Sequence, residues 1–525
     1  MFKQKFWLAV FGIYLLFSTA LIATGMWPAF MIYANLAMML AAVLFFDLEY
    51  ALYSVILSIP FYLDVPDPKY DTVSLWRIVF LFFFLVFIFK IWRGRSFPGD
   101  HLSGFRQILR ALRQNLFPWD KYLLAYALIA LLSLAVAKFK FEGLKELVFA
   151  LNIYLIYVIA ASVIKTKEQV FRAIVVVFSS LASVVAIGFA QFIFSLAVPF
   201  FYFWQYWAIV IARAFYGSFF ANTAMYSNSW IAFYPNQPPS LRMFSVLPDS
   251  HAFAVIALFG IPFALALLRF AKSKWQKTLL WIFIALSAWA ILLSGTRGVW
   301  VGLAAPLCIG AYLWVKHYGR KIIAPAVAPV LIFAAILLVS PFLQKIISGS
   351  QRNYGNYLQR AESVSSLDNE SNAARLDIWK KTLKFAARHP LLGAGYGNFI
   401  VSLGKSAGNY IRAADKNSKE FNLPQKYITA HDFYLQILAE TGILGLLAFA
   451  LFFKKLAGGF WNFFKRHFLY DRDGFAVFAV AAGLYLAALF VYLLVDTTIM
   501  NDRVLMYFFL ILALCGSIFR IYETN

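Results

Sequence analysis

Long apolar runs separated by short charged intervals dominate the chain, and one long polar interval, 341–431, interrupts them. Apolar runs of about 17–25 residues match the hydrocarbon thickness of a bilayer when coiled into helices. Spans are predicted near 7–24, 28–46, 48–64, 75–92, 121–137, 146–164, 170–198, 250–269, 277–294, 298–315, 322–340, 432–453, 474–495 and 503–520. Pro60 and the polar stretch DVPDPKYD make the third short or re-entrant. The pattern predicts an all-α polytopic membrane protein with about 12–14 transmembrane helices. About eleven spans and an excursion near 199–248 fill 1–340, a large partly helical loop fills 341–431, and the last spans occupy 432–525.

Composition agrees with that pattern. The 525 residues are 62% hydrophobic and 14% charged, with a mean hydropathy of +0.73. A soluble domain carries about 25% charged residues, so this chain has too little polar surface to cover itself in water. The first span, with Lys3 and Lys5 before it, resembles a signal peptide but lacks a clear cleavage site, and it is read as a retained helix. Cys308 and Cys515 both lie in predicted spans and form neither a disulfide framework nor a zinc cluster.

The net charge of +23 raises the question of nucleic acid, but the basic residues are dispersed in short clusters between spans rather than gathered on one face. Their placement follows the positive-inside rule. A cytoplasmic N-terminus puts KIWRGRSFPGDHLSGFRQILRALRQNLFPWDK, KTKEQ, RFAKSKWQK, KHYGRK and KKLAGGFWNFFKRHFLYDRD on the inner side, and the C-terminus returns there. The loop KFKFEGLKE is discordant, because it falls outside with three lysines.

Two connections admit more than one reading. FRQILRALRQNLF places Phe105, Ile108, Leu109, Leu112 and Leu116 on one helical face, as a helix lying on an anionic leaflet would. An ordinary basic loop explains the same residues equally well. The outer excursion 199–248 is dense in Trp and Tyr, which suits a membrane–water interface. A carbohydrate-stacking platform is the second reading.

The chemistry-bearing motifs fall on the outer side. LLSGTRGVWVG places Arg297 between two spans, with Gly295 and Gly298 permitting a tight turn. An arginine there marks either function or a side chain snorkelling to the headgroups. In SNAARLDIWKKTLKFAARHPLLGAGYGNF, Ser371 or Asn372 is placed as a helix cap, with Arg375, Trp379, Leu383 and Ala386 sharing a face. His389-Pro390 ends that helix, and Gly393, Gly395 and Gly397 shape the loop beyond. The glycines follow a helix rather than leading into one, so they are weak evidence for phosphate binding. Arg375 can present a guanidinium to a phosphate.

ITAHDFYLQILAETGILGLL places His431 where the long loop re-enters the membrane, with Asp432 in the first helical turn. Histidine accepts a proton near neutral pH, as a general base must, although a lone histidine at a span end is more often an interfacial polar residue. Glu440 lies deeper and needs a partner inside the bundle, where Gly442 and Gly445 allow close contact. LLVDTTIMNDRVLM is a short outer turn with Asp496, Asn501, Asp502 and Arg503, whose acids can pair with the arginines, and RMFSVLPDSHAF adds Arg242, Asp249 and His251. No spacing suits a divalent metal, and no cofactor is expected.

SGTRGVW, RLDIW…HPLLGAGYGNF and HDFYLQILAETGILGLL, in that order, resemble the O-antigen ligase/O-antigen polymerase family from about Arg242 to Asp502. The resemblance implies a GT-C-like bacterial inner-membrane glycosyltransferase with a periplasmic site. Its donor would be a glycan on undecaprenyl diphosphate, and its acceptor the lipid A core (a ligase) or a second lipid-linked glycan (a polymerase). Carried over, Arg297 and Arg375 hold the diphosphate and His431 is the base, with Arg242, Asp432, Asp496 and Arg503 as possible support. The family often has Asn where this chain has Asp432. Ligase is the first reading, polymerase the second, and a lipid-glycan transporter or flippase the alternative of another class. Membrane lipids are expected around the chain, and nucleic acid is not a partner.

Overall fold

The computed structural model describes residues 2–65, 74–93, 115–225, 230–234, 237–316, 320–348, 357, 370–399, 429–470 and 473–524. A helix satisfies its own backbone, which is the condition for crossing hydrocarbon, and every expected span falls on helix, the one at 298–315 on two short ones. The first group is α1 (Phe2–Ala23), α2 (Ile32–Phe45), α3 (Leu48–Ser58), α4 (Leu75–Trp92), α5 (Asp120–Ser133), α6 (Lys140–Val163) and α7 (Lys167–Ala197). The excursion follows, with α8 (Phe200–Gln205), a π-helical turn (Tyr206–Ala212) and α9 (Arg213–Met225). It ends in a hairpin of β1 (Ile231–Tyr234) and β2 (Gln237–Leu241).

The second half contains α10 (Ser250–Phe270), α11 (Lys274–Leu293), α12 (Arg297–Gly302), α13 (Ala304–Val315), α14 (Arg320–Ser348) and α15 (Glu370–Arg388). It closes with α16 (Phe433–Phe463), α17 (Gly474–Tyr492) and α18 (Asp502–Thr524). Among the described residues, nine helices are long and apolar enough to cross a membrane, and shorter apolar helices accompany them.

Burial distinguishes centre from periphery. The apolar windows of α10 and α18 are each 83% buried and that of α17 is 78% buried, against 33% for α1. These three helices form the axis, with α11 and α7 packed on α10, and α6 on α18. Peripheral helices leave large apolar side chains outward, as Phe6, Trp7, Ile13 and Phe17 do on α1, where lipid replaces water as solvent.

The irregular places have local causes. α3 stops at Ser58 and passes into a short 3-10 turn holding Pro60, as a residue without an N–H requires. The hairpin was not expected from the sequence. It pairs Ile231 with Leu241, Ala232 with Ser240 and, beyond a bulge, Tyr234 with Gln237, and among the described residues its strands have no further neighbour, which admits its prolines. Trp230 stacks on Phe244 at 4.5 Å and donates from its ring nitrogen to Pro248 O at 2.6 Å, tying the hairpin to the chain entering α10. Most of the amphipathic segment around Arg106–Arg113 lies outside the described residues, as does much of the interval 341–431.

The most consequential irregularity is inside α16. Gly442 has φ +67° and ψ −166°, so the helix is broken there. The break releases backbone groups that a continuous helix would use internally. Ala394 N donates to Ala439 O at 2.8 Å, Gly395 N to Glu440 O at 3.0 Å, and Ile443 N to Pro390 O at 2.8 Å. The loop after α15 thus docks by its main chain into the gap in α16.

Candidate active site

The glycine-rich segment GAGYG is built for this docking. Gly393, Gly395 and Gly397 all have positive φ, a region costly for other residues. A Cβ at Gly393 would lie 2.5 Å from Ala439 O, and one at Gly395 2.4 Å from the Ala137 side chain. Tyr396 N donates to Ser133 Oγ at 2.9 Å, and Asn398 exchanges hydrogen bonds with both backbone groups of Phe139 at 2.8 and 3.1 Å. The segment therefore joins α15 to α5, α6 and α16. Its backbone N–H groups are engaged by protein, so the structural reading of these glycines prevails over phosphate binding.

α15 begins at Glu370, so Ser371 and Asn372 lie inside the helix rather than at its cap. Arg375 and Trp379 are half-buried and Ala386 is buried, as expected of one face, but Leu383 is 50% exposed and Thr382 takes its place at 0%. Arg375 is on the face that turns towards the bundle.

The docked loop also fixes the approach to His431. Glu440 receives the backbone N–H groups of Gly397 and Phe399 and, at 2.8 Å, Gln436 Nε2. Gln436 Oε1 accepts Ala430 N at 2.8 Å. The partner expected for Glu440 is thus the loop itself, and the same network holds the residue before His431. Asp432 is the N-cap of α16, one position earlier than expected, and its Oδ1 accepts Leu435 N at 2.9 Å. Burial raises its pKa above the ordinary carboxylate value, against the hydrogen bonds from the Leu435 and Tyr434 N–H groups. His431 itself has φ +48°, a left-handed conformation that stores strain in a residue with a Cβ.

A second arm comes from the turn after α17. Asp496 Oδ1 accepts Thr497 N at 2.8 Å and the Thr498 hydroxyl, while Oδ2 meets His251 Nδ1 at 2.7 Å. Tyr492 OH lies 3.1 Å from the same ring nitrogen and 2.9 Å from Thr498 Oγ1. On the other side of the ring, Arg242 Nη2 is 3.2 Å from His251 Nε2. These contacts set the imidazole between the Asp496 carboxylate and the Arg242 guanidinium. Asp496 therefore engages His251, which in turn receives the arginine. Burial alone would raise the Asp496 carboxyl, but His251, Thr498 and His431 outweigh it and hold the group well below the usual carboxylate range. Nearby Asp249 caps α10 by accepting Ala252 N at 2.7 Å, and burial raises its pKa.

Arg242 also locks the Arg297 turn. Its Nε donates to Ser294 O at 3.1 Å, and Thr296 Oγ1 donates to Ser250 O at 3.2 Å. Gly295 has φ +62°, as the tight turn requires. Gly298 serves contact instead: a Cβ there would lie 2.7 Å from the Tyr492 ring. Arg297, half-buried, starts α12 at this junction.

The two arms meet electrostatically at His431. Burial is the largest influence and lowers its proton affinity; the Asp496 charge opposes this, and Arg375 and His251 reinforce it. The result is a pKa below the ordinary histidine value, hence an uncharged imidazole at neutral pH. Arg375, Asp496 and His251 thus act on His431 from α15, the α17–α18 turn and α10. Arg503 stands apart from them. Its guanidinium donates to Tyr216 OH at 3.0 Å, to Tyr62 O at 2.7 Å and to Val246 O, bracing the excursion against the bundle.

His251 and Tyr492 were the parts least visible in sequence. His251 carried a signal, since it lies in the polar entry RMFSVLPDSHAF, but its partner Asp496 is 245 positions away. Tyr492 sits in an apolar run and gave none.

Residues 282–450 match the family model described as O-antigen ligase, a segment that holds Arg297, Arg375 and His431. An uncharacterized protein of Haemophilus influenzae is 25% identical over 199 residues, covering 37% of this chain. The match spans 47% of that relative's length. The similarity to the O-antigen ligase family thus covers residues 282–450, about a third of the chain.

Proposed function

We propose that the protein is a membrane glycosyltransferase that moves a glycan from undecaprenyl diphosphate to an acceptor hydroxyl, with the lipid A core as acceptor. The observation that carries this reading is the convergence on His431 of charges from separate elements, within a chain whose family domain includes Arg297 and Arg375. The site faces the periplasm, and both termini lie in the cytoplasm, as the distribution of basic loops supports.

In the proposed reaction the uncharged His431 takes the proton of the acceptor hydroxyl as its oxygen attacks the anomeric carbon. The bond from that carbon to the diphosphate oxygen breaks on the opposite face, so configuration inverts. Arg297 and Arg375 receive the charge that develops on the departing diphosphate, a preorganised electrostatic role that involves no metal. Asp496 stabilises the imidazolium that forms. His251, fixed between Arg242 and Asp496, holds that carboxylate in place and is a positioning residue.

The test supplies purified protein with labelled glycan on undecaprenyl diphosphate and one of three acceptors: lipid A core, a second carrier-linked glycan, or none. Label on lipid A core supports the ligase reading. Extension of the carrier-linked glycan moves the assignment to polymerase. No transfer in any arm, with the protein folded, contradicts glycosyl transfer altogether.

A further inference from the structure

At the end of α16 remote from His431 lies a cavity of about 400 Å³, between α16, α18 and the segment leading into α5. Its rim carries Lys455, Arg466, His467 and Arg520, and among the described lining residues Glu523 is the one acid. Its walls are apolar and aromatic, with Phe117, Trp119, Phe463 and Phe519. A cationic mouth over an apolar wall is the complement of an anionic amphiphile.

Basic residues at a helix end ordinarily snorkel to the headgroups, and charge alone would make no site. The glycines distinguish this place. Gly458 and Gly459 sit in the long helix α16, where glycine is less favourable than alanine. Gly458 has no positive φ, and a Cβ there would have nothing within 4 Å. Neither backbone conformation nor close packing calls for glycine at that position; what it leaves is open space. Gly516 on α18 has the opposite role: a Cβ would lie 2.4 Å from the Phe117 ring, so the glycine lets that ring form the wall.

Arg520 is fixed above the same ring. Its guanidinium carbon is 4.7 Å from the Phe117 centroid, and its Nη2 donates to Asn115 O at 3.2 Å. Five donors on a guanidinium exceed what these contacts use. Among the described lining residues, Lys455, Arg466 and Arg520 outnumber the single carboxylate of Glu523, and charge complementarity therefore favours an anion.

We infer that this cavity binds the headgroup of an anionic phospholipid, with the phosphate between Lys455, Arg466 and Arg520 and the glycerol and upper acyl chain along the aromatic wall. Basic pockets between membrane helices are suited to such headgroups. The site is independent of the transfer reaction proposed above.

The experiment uses full-length protein, delipidated in detergent, and native mass spectrometry with added phosphatidylglycerol, phosphatidylcholine or inorganic phosphate. Phosphatidylglycerol is expected to be retained and to raise the thermal midpoint, and the other two to do neither. Lys455→Gln with Arg466→Gln should weaken phosphatidylglycerol about thirtyfold, near the effect of two headgroup-facing charges. Gly458→Leu should weaken it comparably by filling the space while removing no charge, with the lipid-free midpoint unchanged as the check on folding. Equal binding of phosphatidylcholine, or wild-type binding by the folded Gly458→Leu protein, would overturn the inference. Equal binding of inorganic phosphate would overturn it too, because the site would then serve a free anion.

Discussion

His251 Nδ1 and Asp496 Oδ2 lie 2.7 Å apart, joining the first turn of α10 to the turn between α17 and α18. The same carboxylate acts electrostatically on His431, raising its proton affinity against the effect of burial. Asp496→Asn removes that charge, so the His431 pKa falls further and the acid limb of the pH–rate profile moves to lower pH. Loss of the charge that would stabilise the imidazolium should also slow transfer by about 10- to 100-fold near neutral pH. An unmoved acid limb would show that Asp496 does not tune His431.

The Arg375 charge works in the other sense. It lowers the His431 pKa, so Arg375→Gln should move the acid limb of transfer to higher pH, while Arg375→Lys should leave the limb near its wild-type position. Both substitutions should weaken use of the diphosphate donor, because lysine does not reproduce a guanidinium fork. A pH profile followed across the three proteins separates charge from hydrogen-bond geometry.

Acid stability follows from the same two groups. Asp496 has a depressed pKa in the folded state, so its stabilisation is present above about pH 3.9, the ordinary Asp value, and is lost as pH falls through its folded pKa. His431 also has a lowered pKa. Between that value and about 6.5 the unfolded chain binds more protons there, so stability rises with pH across this window. Thermal midpoints should climb from acid to neutral pH, and Asp496→Asn should flatten the lowest part of that climb.

Gly442→Ala should destabilise strongly. The residue has φ +67°, and a Cβ would lie 2.2 Å from Leu391 O. Left-handed backbone costs about 1–2 kcal/mol for a residue with a Cβ, before the clash is counted. A thermal midpoint lower by several degrees, with loss of transfer as Pro390–Gly395 leaves its seat on α16, is the expected result. An unchanged midpoint would mean that the break in α16 is not the seat of the loop.

Much of the fold was legible because membrane helices are written locally, as apolar runs of spanning length. The motif residues were legible for the same reason: SGTRG, RLDIW and AHDF are short and contiguous. What escaped was non-local. The break in α16 depends on main-chain bonds from 390–395 to 439–443, which no side-chain pattern encodes. Leu383 and Thr382 exchanged places because helical spacing gives a face only to within one residue, and the neighbouring helix chooses which side is buried. Arg503 was placed with the site by its polar neighbourhood. Its actual acceptors, Tyr216 OH, Val246 O and Tyr62 O, come from parts of the chain with no motif to mark them.

That bracing role gives Arg503 its own outcome. Arg503→Lys should lower the thermal midpoint, since one ammonium cannot serve all these acceptors. At a temperature where the variant stays folded, the position of the acid limb should be unaltered, because Arg503 is not among the charges acting on His431.

The central claim is that His431 is the base that accepts the acceptor's proton. Its most direct test is single-turnover transfer by folded His431→Ala, with donor binding measured in the same preparation. Intact donor binding and a chemical step slowed by about 10²–10⁴-fold, the range for a lost general base, are the expected result. A chemical step at the wild-type rate would contradict it.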